Sequence, residues 1–382
     1  IIKYRNVDMR QKVDFGIDLG TTNSAIAVMQ DGDSVIIKSD DDQGDTTPSC
    51  VSFNKKQIMR VGEKAKNSIE QEAIQNLVKH KAGNPNGYQE FKRNMGTNYL
   101  YESTFMNRSY TAEELSAEVL KKLKGYVRDE SVTSAVITVP AMFEQSQLDA
   151  TQRAAQLAGF SYCELLQEPI AASIAYGVKA NSQSGYWLVF DFGGGTFDAA
   201  LMHTEDGIMK VVDSAGDNHL GGKDLDTAIV DHLFIPEIQQ QCEIEDTISS
   251  SATKVILQEA LKRYAAEAKI KLSSSGQWNE FIDDLGEDDN GEDIEFDITI
   301  TLDQYEKVVT PIFQQAIDIT QDLIKRNNLE PNDLSSLILV GGPTFQQTLR
   351  RMLAEQITDK IDTSIDPMTA VARGATLFAS TK

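Results

Sequence analysis

An apolar run, Tyr186 to Val189, leads straight into Phe190-Asp191-Phe192-Gly193-Gly194-Gly195-Thr196-Phe197-Asp198, and no other stretch limits the fold as tightly. The run reads as a buried strand. Three successive glycines give up side-chain packing, which a chain does where its backbone turns sharply or is approached closely. Consecutive backbone N–H groups in such a turn form a nest for anions, and phosphate oxygens are fitting guests. Asp191 and Asp198 would repel a bare phosphate, so a Mg²⁺ between carboxylate and phosphate completes the arrangement. Taken alone, the stretch also reads as a plain hairpin turn.

The design recurs in Phe15-Gly16-Ile17-Asp18-Leu19-Gly20-Thr21-Thr22-Asn23: apolar strand, Asp, hydrophobic residue, Gly, Thr. Asp18 and Asp191 are separated by close to half of the 382-residue chain. An internal repeat on that scale predicts two similar lobes, each presenting a phosphate-binding hairpin to a shared cleft. A third apolar run into glycine, Leu337-Ile338-Leu339-Val340-Gly341-Gly342, follows near the C-terminus.

A chain of this length suits two domain-sized units rather than one small core. The net charge of −22 argues against nucleic acid or an anionic membrane as partner. Part of that excess is local. Glu280 to Asp297 holds ten carboxylates and no Lys or Arg, a stretch expected to be a solvated loop without the ligand rhythm of a calcium loop. Cys50, Cys163 and Cys242 lack metal or redox spacing, so free thiols in a reducing, cytoplasmic setting are expected. His80, His203, His219 and His232 show no ligand spacing. No apolar run has the length of a membrane helix, and Ile1 to Asp14 has no signal-peptide core. The chain does not open on Met, and we expect it to be part of a longer protein.

Strand and helix patterns alternate from Val13 to Ala379, which predicts an α/β fold with mixed sheets. Thr111 with Glu114 is a capping box ahead of Leu115, Val119 and Leu123 on one helical face. Val132 to Val139 reads as a strand stopped by Pro140, and Gln145 to Ala158 as a helix. Glu168-Pro169 places proline in a first helical turn. Gly216-Asp217 and Gly221-Gly222 are expected to punctuate loops, Thr253 to Leu272 and Asp303 to Asn327 to form helices, the second bent at Pro311, and Phe345 to Ile357 a helix. Lys92-Arg93 is a basic pair in an acidic chain: a surface pair, or a lysine reaching toward phosphate.

Several ordered motifs together resemble the ATPase domain of the 70-kDa heat-shock (DnaK-like) chaperones. They are Gly16 to Ser24, Thr46-Thr47-Pro48-Ser49, Val136 to Ala141, Glu168 to Gly177, the central Asp-x-Gly-Gly-Gly-Thr-Phe-Asp, His219 to Gly222 and Leu339 to Gly342. Lys92-Arg93 through Met95-Gly96-Thr97 is similar to the segment in bacterial-type members. The resemblance implies the actin-like (duplicated ribonuclease H-like) fold, with lobe I over 13–185 and lobe II over 186–382, whose outer subdomain covers about 224–305. It implies ATP or ADP in the cleft, slow hydrolysis, and control of unfolded-polypeptide binding by a C-terminal domain that the chain does not include.

Carried across by the resemblance, Asp18 and Asp191 hold a hydrated Mg²⁺. Gly20, Thr21, Thr22, Asn23, Gly193, Gly194, Gly195 and Thr196 hold phosphates, and Gly221 and Gly222 belong to the same nucleotide site. Lys92 is the catalytic lysine, and Glu168 and Asp191 position the attacking water with Thr196 and Asp198 nearby. Lys269, Ser273, Gly341, Gly342 and Asp366 frame the adenosine. Potassium is implied by the resemblance alone.

Departures from the family pattern carry expectations too. Phe345 stands where an arginine stacks on adenine, and its ring is expected to cover the base, a contact worth about 1–3 kcal/mol on nucleobase platforms. Ala266 replaces an adenine-facing glutamate. Leu148 and Gln152 replace basic relay residues, and Glu164 replaces an arginine that meets the J-domain co-chaperone, so that ordinary electrostatic docking should weaken. Asn67 to Phe91 also departs from the pattern. A nucleotide-exchange factor and a monomeric state are implied. Two other readings stay open at this point: a small-molecule kinase of the same superfamily, and an actin-like filament protein.

Overall fold

The computed structural model describes residues 15–78, 86–128, 130–177, 185–205 and 208–381. Two mixed sheets organise it, and they share one plan. In the first, strand Phe15–Asp18 turns back antiparallel into Asn23–Gln30, which pairs antiparallel with Asp33–Ile36. On the other side of Phe15–Asp18 lie Ser134–Val139 and then Tyr162–Gln167, both parallel. In the second, Gly185–Phe192 turns back into Phe197–Glu205, followed antiparallel by Ile208–Asp217. Leu334–Val340 and the short Ile361–Asp362 complete it in parallel on the opposite side. The repeat of Asp-containing hairpins in the sequence is thus a repeat of whole sheets.

Side chains alternate between the faces of a strand, and the strands leading into both hairpins are apolar on both sides. Leu188, Phe190 and Phe192 pack into a large core with Phe197, Leu225, Leu257, Tyr305 and Phe313. Val189, between them, enters a different cluster with Val136, Leu166, Ala171, Ala172, Ile338, Val340 and Ala375. That second cluster joins the sheets. It contains residues of helices Glu168–Ala175 and Ala370–Ala379, whose small side chains let backbones approach closely. A Cβ at Gly374 would overlap the carbonyl oxygen of Ala171, and one at Gly16 would overlap the backbone nitrogen of Thr376. The last helix therefore packs back onto the first sheet. A third cluster, with Phe15, Ile17, Leu115, Val119, Ile137 and Ala154, fills the space under helices Ala112–Lys124 and Gln145–Leu157.

The Thr111–Glu114 box forms as expected, with the Thr111 N–H donating to Glu114 Oε2 at 2.9 Å and the Glu114 N–H to Thr111 Oγ1 at 3.3 Å. Ser251–Leu272 and Leu302–Arg326 are the long helices, and Pro311 falls inside the second without ending it. Two expectations need correction. Gly216-Asp217 is not loop: both residues end strand Ile208–Asp217, where Gly216 lies directly against the Phe197 carbonyl. The helix expected from Phe345 starts at Gln347, because Gly342–Phe345 forms a separate 3-10 turn around Pro343. The acidic stretch is in part strand, with Gln277–Ile282 pairing with Phe296–Thr301. Its loop is exposed, and Asp288 and Asp289 accept backbone N–H groups there. Lys79, Lys81 and His80 lie outside the described residues.

Candidate functional site

Each phosphate-type turn is braced by contacts that its own motif does not reveal. The Gly20 N–H donates to Ser24 Oγ (3.2 Å), Ser49 donates to the Gly20 carbonyl (2.8 Å), and the Ser24 and Ser49 hydroxyls lie 2.9 Å apart. The Thr46-Thr47-Pro48-Ser49 segment, whose Thr47–Pro48 pairs as a short strand with Asn23 and Ser24, therefore holds the first hairpin in shape. The second closes through the Gly193 N–H to the Thr196 carbonyl (2.9 Å). Its outer side is stitched to helix Gly222–Ile229 by Gly222 N–H to the Gly193 carbonyl (3.0 Å) and Lys223 N–H to the Gly194 carbonyl (2.8 Å). The third glycine turn is set by Gly341, at φ 92°, a left-handed value that glycine adopts without strain, against the Phe192 carbonyl.

These turns open on one cavity of about 800 Å³, within the range of roughly 300–1,000 Å³ usual for cofactor-sized ligands. It is lined by Asp18, Gly20, Thr21, Thr22, Asn23, Lys92, Glu168, Asp191, Gly193, Gly194, Thr196, Asp198, Gly341 and Gly342. The remaining expected residues stand behind or beside it. Gly195 lies under Arg93 and Glu90, and Gly221 packs on the Gly195 backbone. Lys269 donates to the Gly222 carbonyl (3.0 Å) and pairs with Asp226 (2.6 Å), so it pins the long helix to the backing of the hairpin. Ser273 donates to the Ile270 carbonyl of its own helix. Phe345 is 38% exposed, with the Arg350 guanidinium 5.7 Å from its ring centre. Asp366 accepts the Met368 N–H and turns the chain into the lining residues Pro367 and Met368.

The chemistry concentrates around one ion pair. Lys92, only 6% exposed, reaches Glu168 Oε1 at 2.6 Å. Lys92 comes from the 3-10 turn Phe91–Asn94, and Glu168 from a helix N-terminus prepared by Pro169. Burial, followed by repulsion from Glu168, pushes the Asp18 and Asp198 carboxyls up to about 7. Asp191 is raised well above its ordinary value by burial, then by repulsion from Glu168, Asp198 and Asp18, while Lys92 lowers all three. A buried carboxylate cluster short of positive charge suits a cation. Among the described residues no three His, Cys, Asp or Glu side chains are grouped to ligate a metal by themselves. Mg²⁺ differs in demanding only one or two carboxylates, with waters and phosphate oxygens completing its shell, and Asp18 with Asp191 fits that demand. Thr22 Oγ1, buried beside Gly194 without a hydrogen-bond partner among the described residues, fits a phosphate oxygen.

These shifts fix a pH dependence. A carboxyl raised in the fold binds protons more tightly there than in the unfolded chain, so the ligand-free fold loses stability from these groups as pH rises from about 4 through 7. Cation binding runs the other way, because it requires the ionised form. Mg²⁺ affinity in the presence of ADP is expected to rise as pH passes through about 7, with proton release on binding below it. Calorimetry in two buffers of different ionisation heat measures this; an affinity flat from pH 6 to 8 would remove the raised carboxyls from the site.

Sequence reasoning gave no site role to Glu90, Arg93, Asn94, Tyr101, Phe143, Gln147 and His219, which also line the cavity. Arg93 was visible as half of the basic pair and His219 as the head of the His219 to Gly222 motif; the others carry no local signal. Among the described residues no helix is long and apolar enough to cross a membrane, and Cys50, Cys163 and Cys242 are unpaired. The duplicated sheets, the paired Asp hairpins and the buried lysine converge on one family. The model of the Hsp70 protein family matches residues 14–381, and the chain belongs to that family: an ATP-binding chaperone domain with the actin-like fold, and an ATPase.

Proposed function

We propose that the cavity binds Mg²⁺ with ATP or ADP and hydrolyses ATP slowly, as the engine of a peptide-binding chaperone. The observation that carries this reading is the meeting of two acidic glycine hairpins with the buried Lys92–Glu168 pair in one cavity. Thr21, Thr22 and Asn23 on one side, and Gly193, Gly194 and Thr196 on the other, would cradle the phosphates. Asp18 and Asp191 would hold the cation, which when bound neutralises charge on the β- and γ-oxygens. Phosphoryl transfer asks for positioning and charge neutralisation rather than covalent chemistry. Lys92 would face the γ-phosphate, while Glu168 and Asp191 would position the attacking water, with Asp198 and Thr196 nearby. Gly341 and Gly342 would frame the adenosine, with Phe345 over the base and Lys269, Ser273 and Asp366 fixing that wall. A potassium ion beside the phosphates belongs to this proposal as well.

We divide the chain into lobes over 13–185 and 186–382, with an outer subdomain at about 224–305 and the last helix packing back across. Hsp70 proteins act on polypeptides with co-chaperones. For this chain we propose a cytoplasmic monomer that uses a nucleotide-exchange factor. Glu164, on the edge strand Tyr162–Gln167, would make J-domain docking weaker than ordinary. The kinase and filament readings are not favoured by the family. Single-turnover hydrolysis with Mg²⁺ and K⁺ tests the proposal: slow phosphate release indifferent to added sugars is expected. A protein that binds ADP without ever cleaving ATP would reduce the site to a nucleotide sensor.

A further inference from the structure

Beside the lysine runs a second charged network that the reaction does not use. Glu90 precedes the turn carrying Lys92 and adopts φ 55°, a left-handed conformation that side chains other than glycine and Asn rarely take. From there its carboxylate reaches two cations. Oε2 meets Arg93 Nη1 at 2.8 Å, and Oε1 meets Lys223 Nζ at 2.5 Å. The other guanidinium nitrogen, Nη2, donates to the carbonyl of Gly195, in the glycine hairpin itself. Lys223 belongs to the first turn of helix Gly222–Ile229, which is stitched to the same hairpin.

The geometry explains a glycine that lines no part of the cavity. A Cβ at Gly195 would lie 2.5 Å from Arg93 Nη2 and 2.6 Å from Glu90 Oε1. An alanine there would lift both side chains off the hairpin. Side-chain exposures of 18% for Glu90, 26% for Arg93 and 35% for Lys223 place the network at the rim, where solvent reaches it and salt partly screens it.

We propose that Glu90 is a two-sided clasp: it holds Arg93 on the Gly195 carbonyl, grips Lys223 from across the cleft, and so keeps the phosphate hairpin closed over its ligand. Arg93 is then a positioning residue, acting through the hairpin backbone rather than on the reacting atoms. Opening the clasp frees the hairpin and the helix together, and the release of bound nucleotide follows that opening. This rests on the reading of the cavity as a nucleotide site.

The test measures dissociation of a fluorescent ADP from wild type, Glu90→Gln, Lys223→Met and the double variant, at low and high salt. Each single variant is expected to release ADP about tenfold faster at low salt, a difference of about 1.4 kcal/mol. The double variant should be no faster than the quicker single one, because both cut the same clasp. Added salt should speed wild type and leave Glu90→Gln and the double variant, which have lost both ion pairs, unchanged; a general loss of fold stability would not produce this. Release at the wild-type rate in both single variants, or fully additive effects, overturns the clasp. Hydrogen exchange of the nucleotide-free protein decides the question even if wild type binds no ADP. Glu90→Gln should then raise exchange at the amides of Gly222 and Lys223, and unchanged exchange there overturns the proposal on its own.

Discussion

Lys92→Ala is expected to lower single-turnover ATP hydrolysis by about 10²–10³-fold, the range for removing one preorganised charge-stabilising group, while ADP binding stays within a few-fold of wild type. The separation follows from where the groups sit. In the proposed site ADP would be held by the hairpin turns and by Mg²⁺, and the hairpins do not depend on the lysine for their shape. The developing charge on the transferred phosphoryl group would fall, on this proposal, to Lys92, which the fold keeps 2.6 Å from Glu168 and almost dry. A second consequence separates this from simple loss of folding. Lys92 offsets the repulsion that raises Asp18, Asp191 and Asp198. Without it their protons should come off at still higher pH, so the variant's Mg²⁺ affinity should fall further below wild type at pH 7 than at pH 8.5. Hydrolysis at the wild-type rate would clear Lys92 of the role and turn attention to Lys79 and Lys81.

The site was legible where its signal is local. A strand entering Asp-x-Gly-Gly-Gly-Thr declares its turn within nine residues, and both hairpins lie where that pattern puts them. What stayed hidden depends on contacts between distant segments. Ser49 reads as part of a turn until it is found donating to Gly20. Glu90 and Lys223 carry no motif, and only the closed cleft joins them. Gly216 misled for a physical reason: glycine marks loops and also marks places where a neighbouring backbone comes close, and here the second cause applies. Lys269 adds a case of the hidden kind: the resemblance puts it beside the adenosine, and only the fold shows that it also pairs with Asp226, buried one helical turn past Gly222.

Gly374→Ala should be among the most damaging single changes in the chain. In an exposed helix the substitution would stabilise by about 1 kcal/mol, since glycine carries the larger conformational cost. Here the new methyl would overlap the Ala171 carbonyl, and neither partner is a flexible side chain that can swing away. Overpacking costs typically about 1–3 kcal/mol even where side chains can shift. With backbone against backbone, a net loss of about 3 kcal/mol is expected, read as a lowered denaturation midpoint. Gly276→Ala is the control: a Cβ there meets nothing, and stability should change by less than about 0.5 kcal/mol. The damage should also reach the chemistry. Helix Ala370–Ala379 rests on the strand that ends in Asp18 and on the helix that begins with Glu168, and its Val371 lines the cavity. Forcing the two helices apart would separate Asp18 from the Lys92–Glu168 pair. Hydrolysis should therefore fall even at temperatures where the variant remains folded. A Gly374→Ala protein as stable as wild type would mean that the crossing of these helices is looser than their contact implies, and that some other element sets the distance between Asp18 and Glu168.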